Sequence, residues 1–206
     1  MTMPRARWTK RAVTPTLALL AIGLLDSAAA IRPWPLPVVG LLDEPAHLLT
    51  AWLFLAASPW ARRRLDLRWV LLGAVAIDVD HLPLYLWGAL ASSPGGRPVT
   101  HSLITVLVLL VVAALSRRLR TAATGVAVGV LLHFVRDVAT GPGLPLAWPL
   151  CSGGALLPYG LYIGVVAAVT ALAVARRVHA FESRSPRSGG VRGQSRRPPT
   201  GDTSRT

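Results

Sequence analysis

The chain reads as an all-α, polytopic transmembrane bundle of about six helices, and three observations carry that reading. Of its 206 residues, 52% are hydrophobic and only 15% charged, with a mean hydropathy of +0.50. A soluble domain of this length carries more charge and shorter apolar runs. Leu103–Leu115 and Leu156–Ala175 are almost free of polar side chains, and the second is long enough to span hydrocarbon. Finally, the net charge of +13 collects outside the apolar segments. That is the pattern expected of a protein whose basic loops stay inside.

Residues 1–12 form a basic, cytoplasmic amino-terminal segment with Arg5, Arg7, Lys10 and Arg11. The first helix is expected at 14–31. Its basic start, apolar stretch and Ser27-Ala28-Ala29-Ala30 also resemble a cleavable signal sequence. We favour a retained helix, with Asp26 as a polar contact near the outer surface. A second helix at 45–60 leads to Arg62, Arg63, Arg64 and Arg68, and a third at 69–91 returns outward. A fourth at 100–116 ends in Arg117, Arg118 and Arg120; a fifth follows at 121–140 and a sixth at 156–175, closed by Arg176 and Arg177. The odd-numbered helices run outward. The protein is then multi-pass in the plasma (inner) membrane, with both termini cytoplasmic and a transmembrane domain at 13–177.

Residues 178–206 are rich in Ser, Pro, Gly and Arg, lack an apolar period, and should be a disordered, basic cytoplasmic tail. His179 falls in that tail and receives no role. A basic tail suits nucleic acid, but basic groups recur at every second boundary, which favours the membrane; a protein partner for the tail stays open. The single cysteine, Cys151, excludes an internal disulfide and argues against a cysteine metal site. It is expected as a small buried residue near a helix start. Trp34, Trp87 and Trp148 fall near outer boundaries as helix anchors.

The polar residues inside this apolar frame carry the function. They form the clusters Asp43-Glu44-Pro45-Ala46-His47, Asp78-Val79-Asp80-His81, Arg97-Pro98-Val99-Thr100-His101, and His133 with Asp137. Taking the basic clusters as the inner boundary, His47 lies about 22 Å away, Asp78 and His81 about 15 and 20 Å, His101 about 24 Å, and His133 and Asp137 about 20 and 25 Å. The hydrocarbon core is about 30 Å thick, so four helices offer ligands at one level in its outer half. His133 and Asp137 are four apart and share a face, as do Asp78 and His81, three apart. Asp80 joins them only if the helix unwinds, for which Pro83 supplies a cause; otherwise it orients a histidine ring or serves a second metal.

Imidazole and carboxylate donors without thiolate suit a divalent metal, zinc first, with manganese or iron as alternatives. His47, Asp78, Asp80, His81, His101, His133 and Asp137 exceed what one tetrahedral zinc needs. The surplus fits a multinuclear site, or one metal with orienting partners. Such a metal polarises a phosphoryl or carbonyl oxygen and activates water, which is hydrolase chemistry. Other readings stand beside this one. A lone His at a helix end is an ordinary interfacial residue, Asp137 pairs with neighbouring Arg136, or Asp78 and Asp80 line an ion or proton path.

These motifs resemble the YdjM-like family, membrane-bound metal-dependent hydrolases whose bacterial member is described as LexA-binding and inner-membrane associated. The matching stretches are His47 at a helix start, Ala76-Ile77-Asp78-Val79-Asp80-His81, Arg97-Pro98-Val99-Thr100-His101-Ser102-Leu103 and Leu132-His133-Phe134-Val135-Arg136-Asp137. Thr140-Gly141 and Leu146-Ala147-Trp148-Pro149-Leu150 look like the family's short segment after its His-Asp helix. The resemblance covers residues 40–160. Many members carry a proline where this chain has Ile77, so local unwinding rests on Pro83 alone. The resemblance implies a divalent-metal hydrolase, and more distantly it is similar to zinc-dependent phospholipase C and P1-type nucleases.

The expectation is therefore a membrane-embedded, metal-dependent hydrolase acting on a phosphoester or other ester of a lipid or envelope component. Asp80 serves as a third-helix ligand or as the base for water. Arg97 binds an anionic head group or is an ordinary loop charge, and the loop from Gly141 to Pro149 caps the pocket or merely connects. The alternatives are an ion- or proton-coupled transporter and a non-enzymatic scaffold that recruits a partner through its tail. The ligands cluster in the outer half instead of stepping across the membrane, and the sequence has no inverted repeat, which weighs against the transporter.

Overall fold

The computed structural model describes residues 6–82, 97–151 and 153–182. All regular structure among them is helical: α1 Ala6–Ala30, α2 Leu36–Ala57, α3 Pro59–Arg64, α4 Leu67–Ala76, a 3-10 turn Ile77–Asp80, α5 Leu103–Leu115, α6 Arg120–Asp137 and α7 Tyr159–Glu182. Among the described residues, three helices are long and apolar enough to cross a membrane, over Val13–Ala30, Pro37–Ala57 and Tyr159–Ala180. Of the six expected crossings, the fourth is shortened to the 13 residues of α5. That is about 20 Å of helix against about 30 Å of hydrocarbon.

Local chemistry explains the boundaries. α2 begins nine residues before the expected start, with Pro35 as its N-cap and a proline in its first turn, where the missing N–H costs nothing. Pro45, which looked like a helix start, lies inside α2. The early start makes Asp43 helical, so it shares a face with His47. Ser58 ends α2 in an extended conformation because Pro59 follows it. Its side chain then caps α3 by accepting from the Ala61 amide at 3.2 Å. Asp66 caps α4, accepting from the Arg68 amide at 3.1 Å.

The expected loosening of the third helix takes the form of 3-10 tightening at Ile77–Asp80. Side chains three apart eclipse in that geometry, so Asp78 and His81 stand in line. Pro83, Trp87 and the rest of the expected helix to residue 91 lie outside the described residues. So do residues 183–206 of the expected tail, although α7 runs to Glu182 and carries Val178 and His179 as helix. Cys151 is not the expected buried residue at a helix start. It is exposed, in the loop before α7, because that helix starts only after Pro158.

α6 is the central helix, packed on α4, α5 and α2, while α7 packs on α1 and α2. α4 and α6 approach backbone to backbone. A Cβ added to Gly73 would stand 2.4 Å from the Val126 carbonyl oxygen, and one on Gly129 would stand 2.1 Å from that of Val70. Small residues permit this approach where a membrane supplies little hydrophobic drive between helices. One core joins Ala18 and Ile22 of α1 to Leu53 of α2 and Tyr162 and Val166 of α7; another joins Val106 of α5 to Ala127, Val130 and Phe134 of α6. Leu17, Leu20 and Leu24 of α1, Leu107 and Val108 of α5 and Leu161 of α7 are exposed. An apolar outer surface of this extent suits lipid.

Candidate metal centre

The α4–α6 approach builds the site directly. It sets the His133 ring against α4, where its Nδ1 lies 2.9 Å from the Ala74 carbonyl oxygen. A carbonyl only accepts, so Nδ1 carries the proton and Nε2 presents a lone pair. Nε2 faces Asp137 Oδ2 at 2.9 Å and Asp78 Oδ1 at 3.4 Å, and makes no aligned hydrogen bond with either. The His47 ring from α2 stacks on His133, centroids 3.7 Å apart and 8° from parallel. Its Nε2 lies 3.4 Å from Asp137 Oδ1 and 3.5 Å from Asp43 Oδ2, again with no aligned hydrogen bond.

His101 closes the group from the turn before α5, which its own amide helps to form by donating to the Pro98 carbonyl at 3.0 Å. His101 Nε2 lies 2.9 Å from Asp78 Oδ1 and 3.6 Å from Asp137 Oδ2, while Nδ1 lies 3.1 Å from Asp80 Oδ2. Asp80 Oδ2 also accepts from the Thr100 hydroxyl. Asp80 thus sits on the Nδ1 side of His101, with Asp78 and Asp137 on the Nε2 side. His81 Nδ1 lies 3.3 Å from Asp78 Oδ1 and 3.0 Å from Asp80 Oδ1.

All seven residues singled out as ligands therefore come together. They form two donor groups, Asp78 with Asp80, His81 and His101, and His47 with His133 and Asp137, each with donor atoms within 4.8 Å of one another. The groups touch through His133–Asp78 and His101–Asp137. His47, His101, His133 and Asp137 are all 0% exposed.

Arg97 is buried. Its Nη1 donates to Asp137 Oδ2 at 2.7 Å and its Nη2 to the Thr140 carbonyl at 3.1 Å. Gly141, at φ +71°, is the residue this contact requires, since a Cβ there would stand 2.9 Å from Arg97 Nη2. Asp137 therefore pairs with Arg97, not with its neighbour Arg136. Arg136 turns away to Asp43 Oδ1 and Asp26 Oδ1, each at 2.6 Å, and Tyr159 donates to Asp26 Oδ2 at 2.5 Å.

Sequence reasoning named Asp26 as a polar contact and placed Asp43 and Glu44 in the His47 cluster, but gave the two cluster carboxylates no role and missed Tyr159 and the network itself. The signal was present for those two, because Asp43 and Glu44 precede His47 by one helical turn. Glu44 lies beside Asp78, and its Oε2 is buried without a hydrogen-bond partner.

The residues fit a bound metal. Buried polar atoms are nearly always paired, yet both His47 nitrogens, His133 Nε2 and Asp137 Oδ1 have no hydrogen-bond partner. Asp26, Asp43, Glu44, Asp78, Asp80 and Asp137 outnumber Arg97 and Arg136, six carboxylates to two guanidinium groups. With neutral imidazoles, that leaves four negative charges in a largely buried site. Carboxylates so crowded need protons or cations between them.

Beside the cluster a cavity of about 760 Å³ opens, with Asp43, His81, Arg97, Arg136 and Tyr159 on its polar walls. Ala29, Ala30 and Val39 give it an apolar side, and Gly141 and Pro142 place the start of the Gly141–Pro149 loop in its wall.

Fold and site together define a class: a helical membrane protein with a His/Asp centre built from several segments at one end of its bundle. The chain belongs to the YdjM inner membrane protein family, which matches it over residues 43–191. The match takes in every ligand candidate from His47 to Asp137. No curated protein and no solved structure matches the chain.

Proposed function

We propose that the protein is a membrane-embedded, metal-dependent hydrolase whose substrate is a phosphoester of a lipid or envelope component. One observation carries the reading: buried, unpartnered nitrogen and oxygen donors from separate segments converge beside an open cavity. His47, His133 and Asp137 would hold one divalent cation and Asp78, His81 and His101 a second, matching the four surplus negative charges. Zinc suits the donor set best, with manganese or iron as alternatives. When bound, such a cation supplies Lewis-acid polarisation of a phosphoryl oxygen and of water.

The chain's own residues do the rest. Ala74 fixes the His133 tautomer from the backbone, leaving its Nε2 to ligate; His101 bonds Asp80 through Nδ1 and Asp78 through Nε2, so a bound cation would take the place of the Nε2 proton while Asp80 keeps the one on Nδ1. This gives Asp80 an orienting role in preference to that of base. Arg97 clamps Asp137 and lines the cavity, where its positive charge would attract a phosphoryl oxygen. The apolar wall suits the glycerol and acyl portion of a lipid. Concentration of the polar groups at one end of the bundle favours a site over a conduction path. Basic residues at the opposite ends of α2, α4, α5, α6 and α7 favour a multi-pass topology with the centre outward and both termini cytoplasmic.

The test is elemental analysis of detergent-purified protein beside His133→Ala and Asp78→Asn, with helicity checked by circular dichroism. Two equivalents of a divalent metal in wild type, reduced in both folded variants, support the reading. Metal-free, folded wild-type protein defeats it. Release of phosphate or alcohol from lipid phosphoesters, abolished by chelation and restored by metal, identifies the reaction.

A further inference from the structure

At the end of the bundle away from the ligands lies a second cavity, of about 480 Å³, lined by Ala56, Pro59, Arg62, Arg63, Arg176 and Arg177 among others. We propose that it binds the phosphate-bearing headgroup of an anionic membrane phospholipid. The proposal is independent of the hydrolase reading and shares no residue with it.

Charge comes first. Four guanidinium groups converge, and among the described residues no carboxylate forms an ion pair with Arg62, Arg63 or Arg176. The groups are held in place. Arg176 Nη1 donates to the Ala57 carbonyl at the end of α2, tying α7 to the α2–α3 junction. Arg177 lies over the Trp52 ring, 5.4 Å from its centroid. Arg62 and Arg63, exposed on α3, are then available to grip phosphate with planar, forked donors.

Position argues for lipid as the source of that phosphate. α3 joins a membrane-length helix to α4, and it carries Trp60, 65% exposed, next to the arginines. Tryptophan beside arginine at a helix end is the signature of the membrane–water interface. Basic pockets between helices at that level bind anionic headgroups. Size permits it: a cavity of about 480 Å³ has room for a phosphoglycerol headgroup. The simplest rival is that these arginines only orient the protein in the membrane. Arg117 and Arg118, exposed at the same end but not lining the cavity, provide the control.

The experiment uses the full chain in a zwitterionic detergent, titrated with short-chain phosphatidylglycerol, short-chain phosphatidylcholine and inorganic phosphate, and read by native mass spectrometry and thermal shift. Phosphatidylglycerol should bind saturably at one site, and the double variant Arg62→Gln, Arg63→Gln should weaken it about tenfold, while Arg117→Gln, Arg118→Gln stays within about twofold of wild type. Arg62→Lys, Arg63→Lys keeps the charge and should give an intermediate loss if the forked geometry matters. Equal losses in the two glutamine variants would reduce the effect to diffuse charge and overturn the site. Phosphatidylcholine binding as tightly would overturn the headgroup specificity, and inorganic phosphate displacing the lipid at equal concentration would overturn lipid as its source.

Discussion

His133 donates its Nδ1 proton to the carbonyl of Ala74 at 2.9 Å, and this one contact joins helix packing to the geometry of the candidate metal centre. It exists because Gly73 and Gly129 let α4 and α6 meet at backbone distance. Separate the helices by a methyl group and the ring loses both its tautomer and its aim.

Gly129→Ala should therefore do more than lower stability. Its Cβ would meet the Val70 carbonyl oxygen at 2.1 Å, and overpacking of this kind costs about 1–3 kcal/mol. The melting temperature should fall together with metal content. Gly23→Ala, on α1 with nothing within 4 Å of the added Cβ, should hold metal normally and melt no lower than wild type.

Asp80 and Asp137 should behave differently when made neutral. Asp80 touches His101 on its outer nitrogen, so Asp80→Asn should retain metal with affinity lowered about 10- to 100-fold. Asp137 faces His47, His133 and His101 together, so Asp137→Asn should abolish stoichiometric binding. Metal titration in chelator-buffered detergent solution separates the two; equal losses would deny Asp80 its orienting role.

α1 should be present in the mature protein. Asp26 pairs with Arg136 and accepts from Tyr159, while Ala18 and Ile22 pack into the core with Tyr162 and Val166. Removing residues 1–30 would leave Arg136 with Asp43 as its one carboxylate partner, beside Tyr162, and open that core. Intact-mass measurement on membrane-extracted protein should find the segment attached. Asp26→Asn should cost about 1–3 kcal/mol, the price of weakening a hydrogen bond to a charged group.

Removing metal should destabilise the fold. On the proposed reading the carboxylates of Asp78 and Asp137, which meet at His133 Nε2, would lose their counter-charge, and a ligand bound only to the native state stabilises by mass action, about 2.7 kcal/mol at a hundredfold excess over Kd. Chelation should lower the melting temperature, and adding zinc or manganese should restore it. An unchanged melt on chelation of metal-loaded protein would contradict the shared-cation arrangement.

Much of the centre was legible because helix geometry is regular. Counting residues from the arginine clusters put His47, Asp78, His101 and His133 at one depth, and the spacing of His133 and Asp137 put both on one face. The hidden parts depended on exceptions to that regularity. Pro45 looks like a helix start, yet α2 runs through it, which concealed the turn bearing Asp43 and Glu44. His101 sits in a turn before α5, not on a helix, which shortened the fourth apolar tract. Arg136 beside Asp137 invited a local ion pair, but adjacent helical residues point about 100° apart. Its carboxylate partners come from α1 and α2, a long-range pairing that spacing along the chain does not encode.

Asp43 faces two ways: one carboxylate oxygen accepts from Arg136 and the other approaches His47. The anchor that fastens α1 is thereby mechanically linked to the ring that would grip the ion, and both depend on a helix made late in synthesis. A nascent chain has no assembled cup until residue 137 has left the ribosome and α6 has docked. On the proposed reading an ion could be captured only once α6 has docked, and a chain inserted no further than α5 would stay empty.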